Sequence, residues 1–199
     1  MSWNLFLDIV FAVIVLGAIP IIISLEWYCH KTKVSAVSSL PWMRKAVLKA
    51  LKEHVGGATH NHGSDSHLTI YEMGSGWGPL AVDAAKAFPD AKVIGLEFSP
   101  VPVWFSRIRA FIFGHRNLTF KRADFFEEDL RDADVILLYM LESILVKLKP
   151  KFEEELKPGT LIISNTFKIE GWEPVAVEEV MKKLIKLNVY IYRVPEREK

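Results

Sequence analysis

The sequence predicts an α/β fold, a mostly parallel sheet with helices on both faces, preceded by one apolar N-terminal helix. Three observations carry this. From Leu68 onward, short apolar runs alternate with stretches of helical spacing, the pattern of repeated βα units. One run, Leu68-Thr-Ile-Tyr-Glu-Met73, passes into Gly74, Gly76 and Gly78 and then into a helix opened by Pro79. Ahead of the domain lies an uncharged run, Ile9 to Leu25.

The 199 residues, 50% of them hydrophobic, suit one globular domain plus a short extra segment. Basic residues number 25 and acidic residues 24, a balance that gives no bulk attraction to nucleic acid. The lone cysteine, Cys29, excludes an internal disulfide framework and a cysteine-rich zinc site.

Residues 1–29 read as a transmembrane anchor. Leu5-Phe-Leu7 extends the uncharged run past Asp8, and as a helix the whole stretch reaches about 30 Å, a bilayer's hydrocarbon thickness. Trp3 lies outside one end and Trp27-Tyr28 outside the other, as expected of rings at the two interfaces. No Lys or Arg precedes the span, whereas Lys31, Lys33, Arg44, Lys45, Lys49 and Lys52 follow it. The positive-inside tendency therefore puts the C-terminal domain on the cytosolic side, or in an equivalent compartment.

Residues 30–67 read as a connector with a basic amphipathic helix. Ser39 is a candidate cap, Pro41 falls in the first turn, and Met43, Val47 and Leu51 form an apolar stripe. Two readings stay open: a helix resting on anionic lipid, or the first helix of the domain with a solvated face. His54, His60, His62 and His67 crowd one loop region, but without cysteines or helical spacing they read as solvated rather than metal-binding.

Residues 68–199 form the main domain. Strands are expected near 68–73, 92–97, 118–121, 134–139 and 160–165, and helices near 79–88, 100–114 and 143–156. Residues 175–187 fit either a helix, through Val177, Val180, Met181 and Leu184, or part of a strand pair with the alternating Val189-Tyr-Ile-Tyr-Arg-Val194. Ligands in such sheets sit at the carboxyl ends of the strands. Glu72, Gly74, Glu97, Asp124, Tyr139 and Asn165 all fall there.

The glycines do not fit G-x-G-x-x-G, yet glycine at every second position lets the backbone turn tightly against a ligand. Glu97 ends the next apolar run, where an acid binds ribose hydroxyls in dinucleotide folds. Acid, glycine loop and second acid together resemble motif I and its successor in the class I S-adenosylmethionine (SAM) methyltransferases. The whole chain resembles the membrane-anchored seven-β-strand methyltransferases. That group includes the mitochondrial lysine methyltransferases of the adenine nucleotide translocase and the ATP synthase c-subunit, with small prokaryotic relatives. The resemblance rests on the hydrophobic N-terminal segment, the E-x-G-x-G-x-G loop, Gly95-Leu-Glu-Phe-Ser-Pro100, Ala123-Asp-Phe-Phe126, Leu156-Lys-Pro-Gly-Thr160 and Ser164-Asn-Thr-Phe-Lys-Ile-Glu-Gly-Trp-Glu-Pro174.

The resemblance implies a Rossmann-like class I methyltransferase sheet and a strand pair in the tail. It implies SAM as cofactor, held by Glu72, Gly74, Gly76, Gly78, Glu97, Asp124 and Phe125: Glu97 on the ribose, Asp124 on the adenine amino group, and an aromatic ring on the base. Tyr139, Glu142, Asn165 and Trp172 are the candidates for lining the acceptor channel. The implied activity is lysine N-methylation of a membrane-associated protein, with the bilayer as second partner. A lipid headgroup or lipophilic acceptor, and a SAM-binding protein without turnover, are the alternatives. The chain departs from the eukaryotic lysine enzymes at Glu72 and Trp77, where they typically carry Asp, and at Tyr139-Met-Leu-Glu142, where relatives usually show a proline.

Overall fold

The computed structural model describes residues 3–32, 39–55 and 68–196. Five helices, α1 (Trp3–Thr32), α2 (Pro41–His54), α3 (Pro79–Ala87), α4 (Pro100–Ile112) and α5 (Glu142–Glu155), accompany seven strands. The strands are β1 (Thr69–Met73), β2 (Lys92–Glu97), β3 (Leu118–Arg122), β4 (Val135–Leu138), β5 (Leu161–Asn165), β6 (Ala176–Lys182) and β7 (Ile185–Arg193). They form one sheet in the order β3-β2-β1-β4-β5-β7-β6. The first five run parallel, whereas β7 is antiparallel to both β5 and β6.

The central strands read as unbroken apolar runs because both sheet faces are covered. On one face, α2 and α3 bury Met43, Val47, Leu51 and Leu80 against Ile70, Val93, Leu137 and Ile163. On the other, α5 buries Leu145, Leu148 and Phe152 against Met73, Ile136, Leu138 and Ile162. The apolar stripe of α2 is thus core, and its Arg44 makes a 2.8 Å ion pair with Asp83 of α3. Ser39 does not cap that helix. Leu40 takes the cap position without a side-chain bond, and the Ser39 hydroxyl accepts from Asn165 Nδ2 at 3.0 Å instead.

The tail is the strand pair, not a helix. Alternation within β6 leaves Val177, Glu179 and Met181 outward and Ala176, Glu178 and Val180 half-buried. Lys183, at φ 55, turns the chain, so that Val189 and Ile191 of β7 enter the core. Antiparallel pairing of β6 with β7, which itself pairs with β5, outweighs the helical spacing.

α1 is a continuous helix of 30 residues. Side chains at 14, 20, 21, 23–25 and 27–32 fall outside the described set; among the described residues no helix is long and apolar enough to cross a membrane. His60, His62 and His67 also lie outside the described residues.

Candidate active site

The parallel strands bring the ends of β1 to β5 to one edge. From β1 the chain winds outward through β2 and β3, and from β4 it winds the other way to β5, so the switch point lies between β1 and β4. Ligands of such sheets bind in the crevice at that point, here with the glycine loop on one side and the residues after β4 and β5 on the other.

The loop needs its glycines. Gly74, Gly76 and Gly78 have φ of 70°, 53° and 77°, which side-chain-bearing residues rarely adopt. Ser75 N–H donates to the Leu96 carbonyl at 2.8 Å, and Gly78 N–H to the Ser75 carbonyl at 2.8 Å. A Cβ on Gly78 would stand 2.3 Å from Phe120 Cζ. The turn therefore sits directly on the buried ring of β3, at the start of α3.

Glu97 joins the loop to β2. Its two carboxylate oxygens accept from Gly76 N–H at 2.9 Å and Ser99 N–H at 2.7 Å. A carboxylate has about four acceptor positions, so two backbone bonds hold it in place and leave capacity for a pair of hydroxyls. Glu72 is buried below, accepting from Ala81 N–H in the first turn of α3 at 2.8 Å. Burial pushes its carboxyl up to about 8, with Glu97 adding to the effect and the Ala81 bond opposing it. Ser75 Oγ is buried without a partner among the described residues. It lies 3.0 Å from where a Cβ on Gly95 would stand, against the sheet rather than the cleft.

Asp124 follows β3 in a turn tied to β2 by the Ala123 N–H to Glu97 carbonyl bond, 3.1 Å. One Asp124 oxygen accepts from Phe126 N–H at 2.9 Å, and Asp124 lines a cleft with Phe98, Ala123, Glu127 and Glu128. Phe125, the ring expected on the base, is buried. Its ring is buried in the core with Met73 and Leu138, and the exposed ring is Phe126, 4.9 Å away. Two adjacent phenylalanines in a turn pack ring on ring, one buried and one exposed, and the sequence does not say which is inward.

Across the switch point Tyr139 is 38% exposed and stacks on Phe167 at 6.2 Å. Glu142 is exposed in the first turn of α5, beside Tyr139 in the chain. Asn165 does reach the edge, but its side chain is committed. Its Nδ2 donates to Ser39 and its Oδ1 accepts from Thr166 Oγ1 at 3.0 Å, so it ties β5 to the chain entering α2. Trp172 is not brought to this edge. Its Nε1 donates to Glu153 at 3.1 Å and its ring packs on Tyr192, beside Ile162 in the sheet register. Glu153 lies eleven residues along α5 from Glu142, roughly 16 Å down the helix.

Two residues were missed by sequence reasoning. Phe167 forms the wall behind Tyr139, and Thr166 holds φ 72, a strained value for a β-branched residue. Their position directly after a strand end was the available signal. Among the described residues, Glu53, His54 and Glu178 gather closely enough for a metal. Lys49 lies 3.6 Å and 3.5 Å from the two carboxylates and bridges them.

Three comparisons bear on this cleft. The ANTKMT methyltransferase domain matches residues 72–176, from the acid before the glycine loop to the start of β6. A protein-lysine N-methyltransferase of Saccharolobus islandicus is 35% identical over 64% of this chain and 80% of its own. The Rattus norvegicus lysine N-methyltransferase of the ATP synthase c-subunit is 31% identical over 53% of this chain and 48% of its own. The adenine nucleotide translocase lysine N-methyltransferase of Mus musculus is 30% identical over 54% and 47%, so the chain spans about half the length of these two rodent relatives. Among solved structures, an RNA methyltransferase from Salinibacter ruber with bound S-adenosyl-L-homocysteine superposes at a TM-score of 0.67. It is 29% identical and covers 82% of this chain and 97% of its own.

SAM fits the residues present: acids surround a cationic cofactor, Glu97 keeps acceptor capacity, and a Cβ on Gly74 would crowd Met140 Cε at 3.0 Å. With more than half its length matched, the chain belongs to the family of the ANTKMT methyltransferase domain and is a SAM-dependent methyltransferase.

Proposed function

We propose that this chain methylates a lysine side chain on a membrane-associated protein, working from a bilayer in which α1 is its anchor. The observation that carries the reading is the glycine loop locked to Glu97 at the switch point, within a chain similar to enzymes named for lysine. When bound, SAM would supply an electrophilic methyl group to an amine that has first given its proton to solvent, the carbon–nitrogen bond forming as the carbon–sulfur bond breaks and the sulfur leaves uncharged.

The protein's task is then chiefly alignment. Gly74, Gly76 and Gly78 let the backbone close on the cofactor, and Glu97 holds the ribose. Asp124 accepts from the adenine amino group, with Phe126 as the exposed ring nearby. Tyr139, backed by Phe167, offers a ring face to a cationic amine approaching the cleft. Glu142, exposed at the rim, draws the lysine inward by its charge. Asn165 positions the end of β5 through Ser39, and Trp172 fastens the loop after β5 to α5.

The anchoring part rests on the uncharged run Ile9–Leu25 inside a continuous helix of 30 residues. That length, about 45 Å at 1.5 Å per residue, exceeds the hydrocarbon thickness. Two relatives are named for the ATP synthase c-subunit and the adenine nucleotide translocase, which are membrane proteins. A site tethered to a bilayer shares two dimensions with acceptors of that kind.

The test is incubation of the protein and its native membranes with methyl-labelled SAM. Label recovered from membrane protein as methyl-lysine after acid hydrolysis supports the reading. Label extracted into chloroform moves the acceptor to a lipid, and no label beyond bound SAM leaves a binding protein without turnover. Resistance of the full chain to alkaline carbonate washing tests the anchor separately.

A further inference from the structure

Residues 98–123 contain no acid, yet they hold Arg107, Arg109, Arg116, Lys121 and Arg122. Over the whole chain the charges nearly cancel; Lys121 is paired with Glu128 at 2.6 Å, so the cationic groups carried by α4 itself are Arg107 and Arg109. This helix is apolar on two sides. Pro102, Val103, Ser106 and Ala110 face the domain and are buried. Trp104, Phe105, Ile108, Phe111 and Ile112 recur at helical spacing on the opposite side and are exposed. Phe111 is 87% exposed, Ile112 67%, Phe113 66% and Trp104 60%.

A single exposed apolar side chain is ordinary, but a contiguous stripe of this kind marks an interaction surface. At 100° per residue, Arg107 and Arg109 fall on the two shoulders of the stripe. Aromatic and aliphatic groups between flanking arginines form the pattern of a helix lying in a membrane interface. α1 comes into contact with α4, and the stripe stays exposed with α1 in place. The stripe also reaches the cofactor loop, where Trp77 packs on Phe105 at 5.5 Å and Phe105 on Trp104 at 5.2 Å.

We propose that the outer face of α4, from Trp104 to Phe113, docks on an anionic bilayer surface, with Trp77 of the glycine loop beside its first turns. The inference deepens the anchoring reading of the proposed function, from which it takes the bilayer as neighbour. Its own content is which face lies down. The arginines meet lipid phosphates while the rings enter the headgroup–acyl boundary. The sequence offered α2 for that role, but the apolar side of α2 is spent in the core, whereas that of α4 is not. Docking through α4 also gives Trp77 a use, since it links the membrane face to the glycine loop.

The experiment uses the full chain with Cys29→Ser, reconstituted in phosphatidylcholine vesicles containing about one third phosphatidylglycerol. An environment-sensitive dye is attached at Phe111→Cys, or at Leu184→Cys on the β6–β7 turn as a comparison. Both side chains are exposed, so neither replacement disturbs the core. Nitroxide-bearing lipids are expected to quench the dye at 111 severalfold more than at 184, and pure phosphatidylcholine to reduce the difference. Flotation of the same samples reads the anchor independently.

Vesicle-bound protein with equal quenching at both sites overturns the docking face while leaving the anchor standing. Protein that fails to float removes both readings. Shielding at 111 that grows with protein concentration without lipid assigns the face to a second copy. Shielding by added RNA, with no response to lipid, assigns it to nucleic acid. Either of those last two results also overturns the proposal.

Discussion

The two sides of the cleft are built on different principles. On the cofactor side, β1, β2 and the glycine loop are joined through backbone N–H groups: Ser75 and Gly78 donate to the carbonyls of Leu96 and Ser75, and Gly76 and Ala81 to the carboxylates of Glu97 and Glu72. On the side proposed for the acceptor, side-chain contacts between residues distant in the chain set the positions: Tyr139 stacks on Phe167, and Asn165 bonds to Ser39. A backbone-built site demands particular residue types at particular spacings. A side-chain-built site accepts many sequences, which suits the half of an enzyme that meets varied acceptors.

The sharpest way to break this contrast is through the loop glycines. Gly78→Ala forces a Cβ to 2.3 Å from Phe120 Cζ at a φ of +77, adding overpacking to left-handed strain for an expected loss of roughly 2–4 kcal/mol. Gly114→Ala shares a positive φ but meets nothing within 4 Å, so it should lose only about 1 kcal/mol. Denaturant unfolding of both variants measures the difference. Equal losses would mean that the loop is not pressed on β3.

Next in size is Glu97→Ala, which removes the acceptor that holds the loop and would hold the ribose. Hydrogen bonds to a charged group contribute about 1.5–3 kcal/mol, so SAM affinity should fall roughly ten- to a hundredfold. Calorimetry on the folded variant reads this directly. Unchanged affinity would take Glu97 out of the cofactor site.

Gly78 and Glu97 are residues that the sequence singles out, and that is where its legibility ends. Glycines with positive φ, an acid closing a strand and apolar runs of strand length each have one physical explanation, so β1 to β5 and their helices fall within a residue or two of expectation. Phe125 and Phe126 are chemically identical neighbours whose burial is decided by the turn after β3. Asn165 sits at a strand end as a ligand would, but its partner Ser39 is 126 positions away in the chain. Trp172 belongs to a distinctive stretch, yet the loop carries it back along α5. Helical spacing in 175–187 loses to pairing with β7, whose residues 189–193 add to β5. In each case a distant partner, absent from the local pattern, decides the outcome.

Glu72 tests the cofactor side by titration. Its folded value of about 8 lies above its ordinary 4.5, so the folded state holds this proton more tightly than the unfolded chain does. The stabilisation is complete below about 4.5 and is lost as pH rises toward 8, with a slope approaching about 1.4 kcal/mol per pH unit. Glu72→Gln keeps the acceptor for Ala81 and removes the titration, so its stability should be flatter across that window. An unaltered profile would show that Glu72 ionises normally.

On the acceptor side the expected effects are smaller. Tyr139→Ala removes one ring face while Phe167 remains, a loss of about 1 kcal/mol, or roughly fivefold in kcat/KM, if the amine meets that ring. SAM affinity should be unchanged, because no backbone bond of the loop depends on Tyr139. A matching loss of SAM binding would merge the two sides into one unit and end the contrast.

The smallest effect separates fastening from catalysis. Trp172→Phe keeps a ring against Tyr192 but deletes the donor to Glu153, a partly solvated bond whose loss should cost about 0.5–1 kcal/mol. Because Trp172 lies roughly 16 Å along α5 from the rim, methyl transfer by the folded variant should match the parent in both kcat and KM. A fall in kcat at unchanged stability would place Trp172 in the acceptor channel after all. It would require the loop after β5 to swing toward the cleft when substrate binds. Gly171, at φ 73 and packed beside Lys149, would be the residue to examine as its hinge.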